Sequence, residues 1–135
     1  MIGENAMSII DTIKELDDLE YLSSVSEADI TKAEKELELS FADEYKKYVS
    51  TFGVISANGI ELTGVIASPR LNVVDVTKRE RESNGKIPLD MYVVESTGSE
   101  GLVILQDQKG NIYSAFPGHK PEKKFNSLSE YLKSL

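Results

Sequence analysis

The side chains of this chain that could do chemistry are almost all carboxylates. Its 135 residues include 23 Asp and Glu, one histidine and no cysteine. The lack of cysteine excludes disulfides and thiolate metal sites, and a zinc site would need mostly carboxylate ligands. The histidine, His119, lies in a Gly-His-Lys-Pro segment without apolar periodicity, which favours a solvated loop residue because a general base needs a positioned partner. We therefore expect no metal, no cofactor and no catalytic residue.

Motifs for enzyme chemistry are incomplete. Carboxylate pairs could perform acid–base catalysis, but no spacing singles out one pair among the 23 acidic residues. Residues 107–111 lack the alternating ligands and the terminal glutamate of a calcium loop, so they predict a hairpin turn. Gly98 and Gly101 precede a predicted strand and lack the Lys-Ser/Thr that follows the glycines of a phosphate loop. An enzyme is therefore the least favoured function class.

The charge is distributed unevenly along the chain. Residues 1–64 carry 14 acidic and 5 basic residues, a net −9, whereas residues 65–135 carry 9 acidic and 10 basic residues, a net +1. This balance argues against a nucleic acid as partner, because Lys and Arg that neutralise phosphates dominate such binding. It is compatible with a basic protein partner that is attracted over a long distance. Acidity that only keeps a small protein soluble explains the same balance.

Three helices are predicted in the first 53 residues. Capping boxes beginning at Ser8 and Ser26 indicate the starts of the first two. The third spans residues 40–53, with Ser40 as its cap and Gly53 as its left-handed end. Its apolar positions have the spacing of an amphipathic helix: Phe41, Tyr45, Tyr48, Val49 and Phe52. We interpret this third helix as the element against which the rest of the chain packs.

Five strands are predicted after the third helix, followed by a short C-terminal helix that Ser127 caps. Their ranges are 60–63, 71–77, 91–95, 102–106 and 112–116, and the polar segment 78–85 could hold a short helical segment. Strands in series with few helices between them pair mainly antiparallel. The predicted fold is therefore α+β, one domain over residues 1–135, with a single largely antiparallel twisted sheet of about five strands packed against the N-terminal helices.

Several segments together resemble a known family. ITKAEKELELSFADEYKKYVSTFG and the following GIELTGV contain an acidic helix with Glu34 and Leu37, a helix centred on Tyr45, and the glycines Gly53 and Gly64. The later segments IPLDMYVVESTGSEGLVIL, GNIYSAF and FNSLSEYL continue the pattern. This order resembles the SUKH superfamily, the Smi/Knr-type domains of bacterial immunity proteins and fungal cell-wall regulators, over about residues 26–135. The chain departs from the family pattern at Phe41, where proline is usual, and in having no tryptophan.

The resemblance implies an α+β fold without catalysis, and for many bacterial members a role as an immunity factor that blocks a cognate secreted toxin. A toxin that acts on nucleic acid tends to be basic, and the acidic half of this chain complements it. We therefore predict a toxin-binding surface on the acidic helices, with charged contacts from Asp11, Asp18, Glu34, Glu38, Asp43 and Glu44. For one of these residues, Glu34, an inward bond to backbone amides or to a basic side chain and a solvated helix flank both remain open.

The expected location is the cytoplasm. The N-terminal segment lacks the basic region of a signal peptide, and no run approaches the roughly 18 apolar residues of a membrane span. The alternatives to an immunity protein are a regulatory scaffold of the cell-wall-regulator type and a small-ligand module with a pocket between sheet and helices. The oligomeric state is left open.

Overall fold

Helices and strands alternate irregularly in the computed structural model, which describes residues 8–135. The helices are α1 (Ile9–Lys14), α2 (Glu27–Leu37), α3 (Asp43–Phe52), α4 (Val73–Ser83) and α5 (Leu128–Lys133). The strands are β1 (Glu20–Tyr21), β2 (Ile55–Ala57), β3 (Ile60–Glu61), β4 (Met91–Ser96), β5 (Val103–Asp107), β6 (Ile112–Ala115) and β7 (Glu122–Phe125). Residues 1–7, on which part of the signal-peptide expectation rests, lie outside the described residues.

Three of the predicted helix starts are confirmed. The side chains of Ser8, Ser26 and Ser127 each accept a hydrogen bond from the backbone N–H three residues later, at 3.0–3.2 Å. These bonds satisfy donors that the first turn of a helix otherwise leaves without partners. The local capping signal alone therefore places the starts of α1, α2 and α5.

The α+β class is confirmed, but the single five-stranded sheet is wrong. The described residues form two antiparallel sheets, one with the order β1-β2-β3 and one with the order β4-β5-β6-β7. After β3 the chain turns away through a loop into α4, and the two sheets meet where Thr63 N donates to Val94 O at 2.9 Å. Three strands were not predicted. β1 and β7 have short polar sequences that show no alternation of buried and exposed residues, and β2 has only three residues.

The strand predicted at residues 71–77 is also wrong, because α4 begins there. The side chain of Asn72 accepts hydrogen bonds from Val74 N at 2.9 Å and from Asp75 N at 3.4 Å, which caps a helix. The valine-rich sequence has a high β propensity. Val73, Val74, Val76 and Thr77 nevertheless fall on one helical face, and all four are buried. Tertiary packing of that face thus outweighs the local preference for a strand.

The third helix begins later than predicted. Ala42, not Ser40, is its N-cap and makes no side-chain capping bond. The free N–H groups before the helix are bound by distant residues instead, since Glu34 Oε2 accepts from Phe41 N at 2.8 Å and Tyr92 Oη accepts from Ala42 N at 3.0 Å. The bond to Glu34 is one that the sequence analysis left open, whereas Tyr92 is 50 residues from Ala42 and could not be found from the local sequence.

The predicted role of α3 as the central packing element is confirmed. Its buried side chains contact β4 through aromatic rings, with centroids of Tyr45 and Tyr92 4.9 Å apart. Two tyrosine hydroxyls converge on Thr63: Tyr45 Oη lies 2.8 Å from Thr63 Oγ1, and Tyr48 Oη donates to Thr63 O at 2.8 Å. Tyr48 Oη also accepts from Ile55 N at 3.1 Å. The helix is therefore bonded to β2 and to the segment that joins the two sheets.

The four-stranded sheet is covered on both faces. Tyr92, Ile104 and Ile112 belong to the core around α3, whereas Val93 and Leu105 belong to a second cluster that contains Val76 of α4. Alternate residues of one strand point to opposite faces. Because both faces of the sheet are buried, the sequences of β4 and β5 are nearly continuous apolar runs and do not alternate.

Two glycines of the family pattern meet at the junction between α3 and the sheets. Gly53 ends α3 with a φ of +74°. A Cβ on Gly64 would lie 1.9 Å from the Gly53 carbonyl oxygen, and a Cβ on Gly53 would lie 2.5 Å from the carbonyl oxygen of Ser23. Neither position has room for a side chain, so both must be glycine for the segments to approach this closely.

Thr63→Val is expected to lower the free energy of unfolding by about 1–3 kcal/mol, because it leaves the Tyr45 hydroxyl and the Val93 carbonyl without their buried partner. Urea unfolding monitored by circular dichroism measures this change. Thr51→Val on the exposed side of α3 is the control and should change stability by less than about 0.5 kcal/mol. Equal effects of the two substitutions would contradict the role of the buried hydroxyl.

Candidate functional site

The six acidic residues predicted to bind a partner are distributed over α1, α2 and α3 and the residues that follow α1 and α2. α1 contacts α3 and α5, whereas α2 contacts α3 and α4. Asp11 lies on α1, and Glu34 and Glu38 lie on or at the end of α2. The six residues thus lie on helices with different neighbours, and a binding surface that they share stays a prediction.

Glu34 reaches inward, one of the two possibilities that its position on α2 left open. Besides accepting from Phe41 N, its carboxylate lies 3.7 Å from Lys46 Nζ on α3. It therefore fixes the connection from α2 to α3 and is already paired with a basic side chain of the chain itself.

Glu44 is engaged in the fold as well. One carboxylate oxygen accepts from Gln106 Nε2 at 2.7 Å and from Leu128 N, and the other accepts from Ser129 N at 3.4 Å. Gln106 Oε1 in turn accepts from the Tyr92 hydroxyl at 2.7 Å. Burial raises the pKa of the Glu44 carboxyl, although the hydrogen bonds from Leu128, Ser129 and Gln106 act in the opposite direction. This carboxylate joins α3, β5 and α5.

The other four predicted residues are exposed. Asp11 accepts from the Ser8 hydroxyl at 2.9 Å and completes the cap of α1. Asp18 follows α1 with a φ of +55°, Glu38 ends α2 with the same φ, and Asp43 lies in the first turn of α3. All four side chains are open to solvent.

A buried carboxylate that the sequence did not single out lies in β4. Glu95 is 4% exposed and accepts a hydrogen bond from the hydroxyl of Tyr131 on α5. Burial raises the pKa of Glu95, and this hydrogen bond opposes the shift. Glu95 and Gln106 each end an apolar run of sequence. A polar residue in a strand that is buried on both faces needs an internal partner, and this signal could have identified both.

Open grooves border α2 on both sides. The α2–α3 groove, of about 300 Å³, has Glu34 and Lys46 among its lining residues and so contains an internal ion pair. The α2–α4 groove, of about 410 Å³, lies between α2, the loop of residues 65–67 and the start of α4. Its lining residues are Asp29, Lys32, Ala33, Glu36, Val65, Ile66, Ala67, Asn72, Val74 and Asp75.

Metal-binding side chains are not clustered in the described part of the chain. Across residues 8–135 no group of three or more His, Cys, Asp or Glu side chains is placed to hold a metal ion. His119 is exposed in the turn after β6, where its backbone oxygen accepts from Asn84 Nδ2 at 2.9 Å. The arrangement therefore offers grooves and charged surface as its candidate functional features.

Glu44→Gln is expected to lower the free energy of unfolding by about 1–3 kcal/mol. The carboxylate accepts hydrogen bonds from three donors, and in glutamine an NH₂ group, which cannot accept, replaces one of the two carboxylate oxygens. The adjacent Asp43→Asn is the matched control, and its cost should stay below about 1 kcal/mol, as for a helix-terminal charge. Urea unfolding measures both changes. A larger loss for Asp43→Asn would contradict the internal role of Glu44.

Glu95→Gln should change the pH dependence of stability. The folded state raises the pKa of Glu95 above its unfolded value, so the wild type loses stability as pH rises through the interval between the two values. The glutamine keeps an acceptor for Tyr131 and does not titrate. The free energy of unfolding of the wild type minus that of the variant should therefore be highest near pH 4, close to the ordinary pKa of a glutamate, and fall as the pH rises further.

Urea titrations of the wild type and the variant, paired at each pH from about 4 upwards, measure that difference. The contributions of the other acidic residues to the pH dependence are the same in both proteins and cancel. A difference that stays constant with pH would show that folding does not perturb Glu95.

No helix of the described residues is both long and apolar enough to cross a membrane.

Comparison with known proteins identifies the family. None of the curated proteins matches the chain. The family model described as SUKH_5, SMI1-KNR4 cell-wall, matches residues 7–135, which confirms the resemblance and extends it towards the N-terminus. Since the match spans nearly the whole sequence, the chain belongs to the SMI1-KNR4 (SUKH) family.

Proposed function

We propose that this protein is a non-enzymatic immunity protein of the cytoplasm that binds and neutralises a cognate bacterial toxin of basic character. The observation that carries the proposal is membership of the SMI1-KNR4 family over residues 7–135, a family consistent with an immunity or cell-wall-related role. Members of the family are generally non-catalytic.

The charge of the surface supports a basic partner. The N-terminal half has a net charge of −9, and most of its acidic side chains in the described residues are exposed. Glu34 and Glu44 have internal partners, so they are poor candidates for direct contacts. We retain Asp11, Asp18, Glu38 and Asp43 as proposed contributors to long-range attraction, which depends on summed charge and does not require the residues to be adjacent.

A regulatory scaffold is the second candidate, because the matching family is described by a cell-wall role. A gene for a large multidomain toxin next to the gene of this protein would favour immunity, and its absence would favour regulation. A small-ligand site between sheet and helices has less support. Phe41, Tyr45 and Tyr92 fill that space with ring centroids 4.8–5.0 Å apart.

Co-expression with the toxin domain encoded beside the gene tests the proposed function. We expect restored growth of the producing cells and co-purification of the two proteins in equal amounts. Continued toxicity together with failure to co-purify would reject the immunity role.

Salt dependence tests the electrostatic part of the mechanism. Raising NaCl from about 20 mM to about 500 mM should lower the association rate constant for the toxin domain by about tenfold or more, because screening weakens attraction between exposed charges. Stopped-flow or surface plasmon resonance measures this rate. An association rate that does not change with salt would contradict attraction by the acidic half.

A further inference from the structure

We propose that the α2–α4 groove is where the basic partner docks, and that it accepts a segment in which apolar side chains are flanked by Lys or Arg. This inference rests on the proposed function and deepens it by assigning a surface. None of the six acidic residues that the sequence suggested as contacts lines this groove.

The floor of the groove offers apolar contact. Ala33 on α2 and Val74 on α4 are 5% and 6% exposed, and Val65 and Ile66 of the connecting loop are half-buried. The volume of about 410 Å³ exceeds that of one large aliphatic side chain. Apolar side chains in a concave site surrounded by polar ones are the usual arrangement of the residues that contribute most to binding.

The loop that forms one wall is held in place before any partner arrives. Asn72 Nδ2 donates to Ile66 O at 2.6 Å, and Asn72 N donates to Ser68 O at 3.0 Å. Gly64 N donates to Leu71 O at 2.9 Å and Val73 N donates to Gly64 O at 2.8 Å, which closes the base of the loop. A preorganised wall reduces the ordering cost that binding would otherwise incur.

The rim of the groove selects for positive charge. Asp29 and Glu36 are seven residues apart on α2, which places them on one face about 10 Å apart along the axis. Asp75 faces them from α4, and Lys32 is the one basic residue in the lining. None of the three carboxylates forms an ion pair with a basic side chain of residues 8–135. The rim therefore has a net charge of −2 that is not neutralised within the described structure.

The α2–α3 groove lacks this excess of negative charge. The α2–α3 groove is lined by two glutamates, Glu27 and Glu34, and by two lysines, Lys46 and Lys47. Its acidic and basic side chains balance, and Glu34 is already paired with Lys46. Charge complementarity with a basic segment thus favours the α2–α4 groove.

A peptide titration tests the groove without the toxin. The probe is the peptide acetyl-Lys-Leu-Lys-Leu-Arg-amide, added to the ¹⁵N-labelled protein, with the peptide acetyl-Glu-Leu-Glu-Leu-Glu-amide as control. We expect the largest amide shift changes at Ala33, Val65, Ile66 and Val74 with the basic peptide, and none there with the acidic one. Shift changes confined to other residues, or equal responses to both peptides, would overturn the proposal.

Two variants of equal charge change make the test quantitative. Asp29→Asn/Glu36→Gln/Asp75→Asn should weaken binding of the basic peptide at least about tenfold, because it removes the three rim charges. Asp17→Asn/Glu82→Gln/Asp90→Asn changes exposed acidic residues outside the groove in the same chemical way and should leave the Kd within about twofold. Equal weakening by both variants would show non-specific attraction and overturn the proposal.

Asp29 and Asp75 lie in the first turns of their helices, so circular dichroism must show that the groove variant is folded. If it is not, Glu36→Lys alone carries the same test, since it alters neither helix start. Its reversed charge should also weaken peptide binding at least about tenfold.

Protection against the toxin separates this inference from the proposed function. If the groove variant loses protection while the wild type and the control variant keep it, the result supports both the groove and the immunity role. Full protection by the groove variant overturns the groove and leaves the immunity role intact. Specific binding of the peptide in the groove, with no protection by the wild type, overturns the immunity role and leaves the groove as a site for basic segments.

Discussion

Buried tyrosine hydroxyls need hydrogen-bond partners, and in this protein two of them converge on Thr63. Tyr45 and Tyr48 extend from α3, and Thr63 occupies the chain between β3 and α4, where its own N–H donates to β4. An unpartnered hydroxyl in this core would cost more than the bond itself contributes. The position of α3 relative to both sheets is therefore determined by these polar atoms as well as by apolar packing, which tolerates small displacements.

A second polar chain joins the parts of the fold that Thr63 does not reach. It runs from the start of α3 through Tyr92, Gln106 and Glu44 to the start of α5. The consequence for function is that sequence position alone overstates how many carboxylates are available to a partner. Glu44, together with Glu34, contributes to the acidic total while serving the interior. The α2–α4 groove, by contrast, is lined by acidic side chains that hold no part of the core together.

The sequence predicts those features of the fold that depend on local interactions. The serine caps of α1, α2 and α5, the amphipathic stripe of α3 and the apolar runs of β4 and β5 each have a local physical cause, and these are confirmed. The start of α4 and the missing side-chain cap of α3 depend on tertiary contacts instead. Burial of one face of α4 outweighs the β propensity of its valines, and the partner of the Ala42 N–H, Tyr92, is 50 residues away. The division into two sheets likewise depends on a backbone turn after β3. The groove could not be predicted, since it requires α2 and α4 to be adjacent.

The outer edge of the four-stranded sheet has a further consequence. β7 pairs with β6 on one side only, and Lys123 and Lys124 on it are exposed. If two molecules joined through this strand in a centred antiparallel register, Lys123 of one would lie opposite Lys124 of the other, and like charges placed opposite one another are destabilising. Lysines on an exposed edge are a recognised defence against continued strand addition. The sheet thus resists growing from one molecule into the next as a fibril.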